Sequence, residues 1–244
     1  LQGQPDLLPR VYPELLDPEF RSLMALGHSR YSTNTLPTVF RSQPFSLLGH
    51  NGEINTIERL RDAGRALGIP PVSGGSDSQD LNRLLEGLLW AFDLELPEAL
   101  ELIFPAIHSE VERYRPELAR LYRAYRWFFP ASAQGPAAVV ARDGNICMGA
   151  VDALGLRPLW FGESDTDYFL SSEKGVVALE RLASDPRPLA PGEKIALLAH
   201  PGRPAEVLDY SDANMYSEAV AQIVRWQQHY CRFYKNSALY CDLK

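Results

Sequence analysis

Residues 45–57 read FSLLGHNGEINTI, and this stretch sets how the rest of the chain is organised. Apolar residues lead into Asn51-Gly52, a strong short signal for a hairpin, because a type I′ turn needs positive φ at both central positions. Two short strands are therefore expected around that turn. Just upstream, LMALGHSRYSTN (23–34) passes from apolar to polar residues and reads as a strand running into a loop. Before it, Pro5, Pro9, Pro13 and Pro18 punctuate residues 1–22. Proline fixes φ and lacks a backbone donor, so an extended arm with at most a short helix is expected there.

Downstream, SGGSDSQ (73–79) opens a helix whose Leu81, Leu84, Leu85, Leu88 and Leu89 share one face. Ser76 and Gln79 stand at capping-box spacing. LPEALELI, opening at Pro97, predicts a shorter helix, and Leu118, Leu121, Tyr122 and Tyr125 after Pro116 predict a third. From Gly135 the texture changes. GPAAVVARDGNICMGAVD (135–152) reads as two strands joined at Asp143-Gly144, and PLWFGESDTDYFLSS (158–172) as two more. KIALLAH (194–200) is expected to be the last strand. Strands, then helices, then a strand meander indicate an α+β class rather than alternating βαβ units. Val220, Ile223, Val224, Gln227, Tyr230, Cys231 and Tyr234 keep a helical period. The expected domains are thus an N-terminal arm (1–22), a main domain (23–204) and a C-terminal helical extension (205–244).

Composition narrows the function classes. The 244 residues are 45% hydrophobic, enough for one large core, and the formal net charge of −7 argues against a nucleic-acid partner. No apolar run approaches the roughly 18–20 residues that span a bilayer, so no membrane partner is expected. The start, LQGQPDLLPR, has no signal-peptide pattern, and three cysteines suit a reducing compartment, so a cytoplasmic location is expected. The five histidines show no metal-ligand spacing, and Gly74-Gly75 fit no nucleotide-binding loop. Neither a metal nor a cofactor is expected. Arg225, His229, Arg232 and Lys235 are interleaved with aromatics, which reads as an amphipathic packing helix.

Three polar clusters carry the chemistry: HSRYSTNT (28–35), HNGEINT (50–56) and GGSDS (74–78). Singly, each has a structural explanation as a surface cation, a turn or a helix cap. Together and in this order they resemble the class II glutamine amidotransferases, a branch of the N-terminal-nucleophile hydrolases. The resemblance is closest to the glutaminase domain of the glutamate synthase large subunit. GPAAVV (135–140), GLRP (155–158), SSEKGV (171–176) and PGEK (191–194) extend it collinearly, from about residue 10 to about residue 198.

The resemblance implies an αββα sandwich, incomplete here on its N-terminal side. It implies that Arg30 binds the α-carboxylate of glutamine and Asp77 its α-ammonium. Asn51 and Gly52 would form the oxyanion hole. The residue types suit those tasks, since an arginine fork matches a carboxylate and preorganised donors stabilise a tetrahedral oxyanion. The family's nucleophile is an N-terminal cysteine followed by glycine. Residue 1 here is leucine, and Cys147, Cys231 and Cys241 form no Cys-Gly pair. The expectation is therefore a fragment, or a relative that lost the catalytic segment, with the nucleophile absent from these residues. Cys147 reads as a buried structural thiol. Glu53 reads as a polar turn residue, and His28 and His50 as loop supports. The implied function is release of glutamate and ammonia from glutamine for a synthase partner or domain. The alternative is a catalytically silent amino-acid-binding or interaction domain.

Overall fold

In the computed structural model the described residues are 5–29, 38–114 and 116–209. Among them the chain runs through α1 (Leu8–Val11), β1 (Leu48–Gly52), α2 (Ile57–Ala66), α3 (Asp77–Phe92), α4 (Leu96–Ile103), α5 (His108–Val111) and α6 (Pro116–Phe128). It continues through β2 (Ala137–Asp143), β3 (Ile146–Val151), β4 (Trp160–Glu163), β5 (Tyr168–Ser171), β6 (Arg187–Pro188), β7 (Lys194–His200) and β8 (Arg203–Asp209). The class is α+β, as the order of elements in the sequence predicts.

Two antiparallel sheets form. One has the order β1-β2-β3-β7-β8, the other β5-β4-β6. The alternation of GPAAVVARD explains how they stack, because successive strand residues face opposite ways. Ala137, Val139 and Ala141 of β2 join a core shared with the leucines of α3 and with α4. Ala138, with Val140 packed beside it, joins a second core containing Leu159 and Leu189, against which Phe161 and Leu170 of the small sheet also pack. The described layers are therefore helices, large sheet, small sheet. A second helical layer is not among the described residues.

The leucine helix forms as expected. Leu81, Leu84, Leu85, Leu88 and Leu89 are all buried. At its start the Gln79 N–H donates to Ser76 Oγ at 3.2 Å, and the Ser76 N–H donates to Gln79 Oε1 at 2.9 Å. The β2–β3 hairpin turns through Gly144-Asn145, one residue later than expected, with Asp143 still paired to Ile146 and Gly144 at φ +52°.

Three expectations fail. Asn51-Gly52 does not turn back on itself. Asp93 is the one non-glycine with positive φ among the described residues, so Asn51 stays extended and β1 pairs with distant β2. Residues 23–29 form no strand, although Leu26 passes 3.8 Å from where a Gly49 Cβ would stand. That segment has no ladder among the described residues to make it one. KIALLAH is not last, because Pro201 and Gly202 (φ +75°) turn the chain into β8. Pro204 is tolerated there since β8 lies at the sheet edge. Residues 205–209, placed by sequence in the C-terminal extension, thus belong to the sheet. The helix expected over 220–234 lies outside the described residues. The structure also adds α2, which buries Leu60 and Gly64 and carries Arg61–Glu58 and Arg65–Asp62 ion pairs on its surface.

Candidate active site

Two of the sequence-selected residues end strand β1, and a third begins helix α3. Backbone bonds at Leu47 and Glu53 fix the β1 ladder: the Arg142 N–H donates to Leu47 O at 2.8 Å and the Glu53 N–H to Pro136 O at 2.9 Å. In an antiparallel pair such bonds recur at alternate residues. Asn51 is therefore turned to β2 by its backbone. The Gly52 N–H, like that of His50, points the other way, off the sheet edge. His50 shows what that direction offers, for its N–H donates to Gln43 Oε1 at 2.6 Å. Gly52 is exposed, at φ +138°.

The Asn51 side chain is held at both ends. Its Oδ1 accepts from Arg157 Nε at 3.1 Å and Nη2 at 2.7 Å, while its Nδ2 donates to Ser172 Oγ at 2.9 Å. An amide nitrogen carries two hydrogens, so one remains beyond the Ser172 bond.

Asp77 is linked to residues that flank the Asn51-Gly52 pair, not to the Asn51 side chain itself. Its Oδ2 accepts the Ile54 N–H at 3.1 Å and its Oδ1 the Ser78 N–H at 2.7 Å. The helix start is thereby tied to the loop leaving Gly52. Ser78 Oγ also donates to Asp77 Oδ1 at 3.2 Å and stands 2.8 Å from His50 Nδ1. With its hydrogen directed at Asp77, that hydroxyl accepts from His50, which places the imidazole proton on Nδ1. His50 Nε2 is buried without a hydrogen-bond partner. Burial pushes the His50 pKa down to about 4, opposed by the Asp77 charge and assisted by His28 and Arg157. The ring is neutral at pH 7 and braces α3 against β1.

The structure thus brings Asn51, Gly52 and Asp77 together, whereas Arg30 lies outside the described residues. Glu53 is exposed beside them. Cys147 sits in β3 opposite Arg142 and Leu197, and burial raises its thiol pKa to about 11, so it is not a thiolate at neutral pH. Cys231 and Cys241 lie outside the described residues. Sequence reasoning missed Arg157 and Ser172 as site residues, though GLRP and SSEKGV had marked their segments. Among the described residues no group of three His, Cys, Asp or Glu side chains could hold a metal, and no helix is long and apolar enough to cross a membrane.

The family model of class II glutamine amidotransferases matches residues 2–203. The chain belongs to that family. The NADH glutamate synthase of Saccharomyces cerevisiae is 35% identical to this amidotransferase chain over 203 residues, covering 75% of the chain and 9% of that protein. The large chain of the NADPH glutamate synthase of Azospirillum brasilense is 33% identical over 214 residues, covering 80% of the chain and 14% of that protein. The chain therefore spans a small part of the relatives it matches. Among solved structures, the glutamine phosphoribosylpyrophosphate amidotransferase of B. subtilis aligns with 75% of this chain and 34% of its own, at 22% identity and a TM-score of 0.41.

Proposed function

We propose that this amidotransferase chain acts in the hydrolysis of the glutamine side-chain amide within a glutamate synthase-type enzyme. The products are glutamate and ammonia, and the ammonia passes to a synthase domain or partner. The attacking cysteine comes from outside the 244 residues. Arg30 holds the substrate α-carboxylate and Asp77 its α-ammonium. Attack on the amide carbonyl leaves a tetrahedral oxyanion, which Asn51 Nδ2–H and Gly52 N–H stabilise. The reaction takes place in the cytoplasm.

One observation carries this reading. Two donors from adjacent residues stand ready at the end of β1: a Gly52 N–H turned off the sheet edge and a tethered Asn51 amide with a hydrogen to spare. Preorganised donors of this kind stabilise developing charge without reorganising at the moment of reaction. Asp77 is a second support, since a half-buried carboxylate at a helix start is fixed by two backbone N–H groups before any ligand arrives.

The test is calorimetry with L-glutamine and L-glutamate on the full-length protein, run beside an ammonia-release assay. Binding that weakens at least about tenfold in Asp77→Asn, together with ammonia release, is expected for loss of a charge-assisted contact. Asparagine keeps one oxygen for Ile54 and gives up the Ser78 bonds, so thermal unfolding of the variant is measured alongside to separate lost binding from lost folding. Binding without ammonia release would instead identify a silent amino-acid-binding domain.

A further inference from the structure

Arg157 touches Asn51 from a loop that one carboxylate organises. Asp152, 2% exposed, accepts N–H bonds from Ala137 at 3.2 Å, Leu154 at 3.1 Å, Leu156 at 3.0 and 3.1 Å, and Arg157 at 3.3 Å. Its backbone carbonyl accepts from Gly155 and Gly192, both at 2.9 Å. Ala137 stands opposite Gly52 in the β1–β2 ladder. The same buried carboxylate therefore holds the strand end behind Gly52 and the loop that presents Arg157. Arg157 is exposed, and Asp152 anchors its backbone rather than its guanidinium; the loop fixes where the side chain starts, and the paired Nε and Nη2 bonds to Asn51 fix where it ends.

We infer that Arg157 is a positioning residue that sets the Asn51 amide for oxyanion binding. This rests on the glutaminase reading of the site. A guanidinium has donors and no acceptor, so the amide atom facing it must be oxygen. Asn51 Nδ2 is thereby turned away from Arg157, towards Ser172 and the site. The guanidinium charge held against Oδ1 also draws electron density from the amide nitrogen, which makes the remaining N–H a stronger donor. Arg157 need not touch the substrate to do this. Its effect belongs to the chemical step rather than to glutamine binding.

The test is steady-state glutamine hydrolysis by the full-length protein carrying Arg157→Ala, Arg157→Lys, Asn51→Ala and the Arg157→Ala/Asn51→Ala pair. Arg157→Ala should lower kcat by about 10- to 100-fold with KM changed less than about threefold, since an oxyanion donor is disoriented rather than removed. Arg157→Lys retains charge but not the fork, and should recover part of the loss. Placed on Asn51→Ala, Arg157→Ala should cost nothing further, because residues acting through one another are not additive. A kcat within threefold of the parent, or an equal loss in both backgrounds as a folding defect would give, overturns the inference. A wild-type protein that binds glutamine but does not hydrolyse it overturns the glutaminase reading itself.

Discussion

The Pro136 carbonyl oxygen occupies the space a side chain on Gly52 would need: a Cβ built there stands 1.7 Å from it. The same carbonyl accepts the Glu53 N–H at 2.9 Å, so it cannot retreat without breaking the end of the β1–β2 ladder. Gly52 also holds φ +138°, where any side chain is strained. Gly52→Ala should therefore destabilise the fold by about 3 kcal/mol or more, from the strained conformation and the clash together. Thermal unfolding should show a Tm lower by about 6–12 °C for a domain of this size.

His50 makes stability depend on pH. Its pKa is about 4 in the folded chain against an ordinary 6.5. Between those values the unfolded chain takes up a proton that the buried ring refuses. The contribution is complete above pH 6.5 and is lost as the pH falls toward 4, by something of the order of 3 kcal/mol. Urea unfolding of wild type and His50→Gln between pH 4.5 and 7 isolates the imidazole's contribution from that of the carboxylates. The stability difference between the two proteins should shift in favour of His50→Gln as the pH falls.

Lys194 is fully buried on β7, with its Nζ 3.1 Å from Glu101 Oε1 of α4, while Tyr122 donates to Glu101 Oε2 at 3.1 Å. The pair ties the large sheet to two helices. Lys194→Met leaves the Glu101 charge buried and should destabilise by about 3–5 kcal/mol, whereas adding Glu101→Gln should recover much of that loss. Arg65→Ala, which breaks an exposed pair with Asp62, should change stability by less than about 1 kcal/mol. Chemical denaturation of the four proteins checks the order.

Local signals were legible where local chemistry decided the outcome. The Ser76–Gln79 cap, the leucine stripe of α3 and the β2–β3 hairpin, whose turn falls one residue later than Asp143-Gly144, each depend on residues a few positions apart. Asn51-Gly52 misled for the opposite reason. Glycine is required there by the close passage of Pro136, a partner far along the chain, and not by a turn. Helix α2 carried a readable stripe in Ile57, Leu60, Ala63 and Leu67, hidden by the polar residues between them. Strand β8 was masked by Pro201 and Pro204, which suit a turn and an edge. For the candidate site, the motifs single out Asn51, Gly52 and Asp77, which the fold places at the end of β1 and the start of α3. The clamp on Asn51 was not legible, because Arg157 lies 106 residues away and only folding brings it across.

The central claim is that Asn51 stabilises the oxyanion of glutamine hydrolysis. Its most direct test is the kcat of Asn51→Ala in the full-length protein, measured beside the affinity for glutamine. Removal of one oxyanion donor should lower kcat by about 100- to 1000-fold while binding changes less than about threefold. An unchanged kcat, or a loss matched by an equal loss of glutamine affinity, would contradict it.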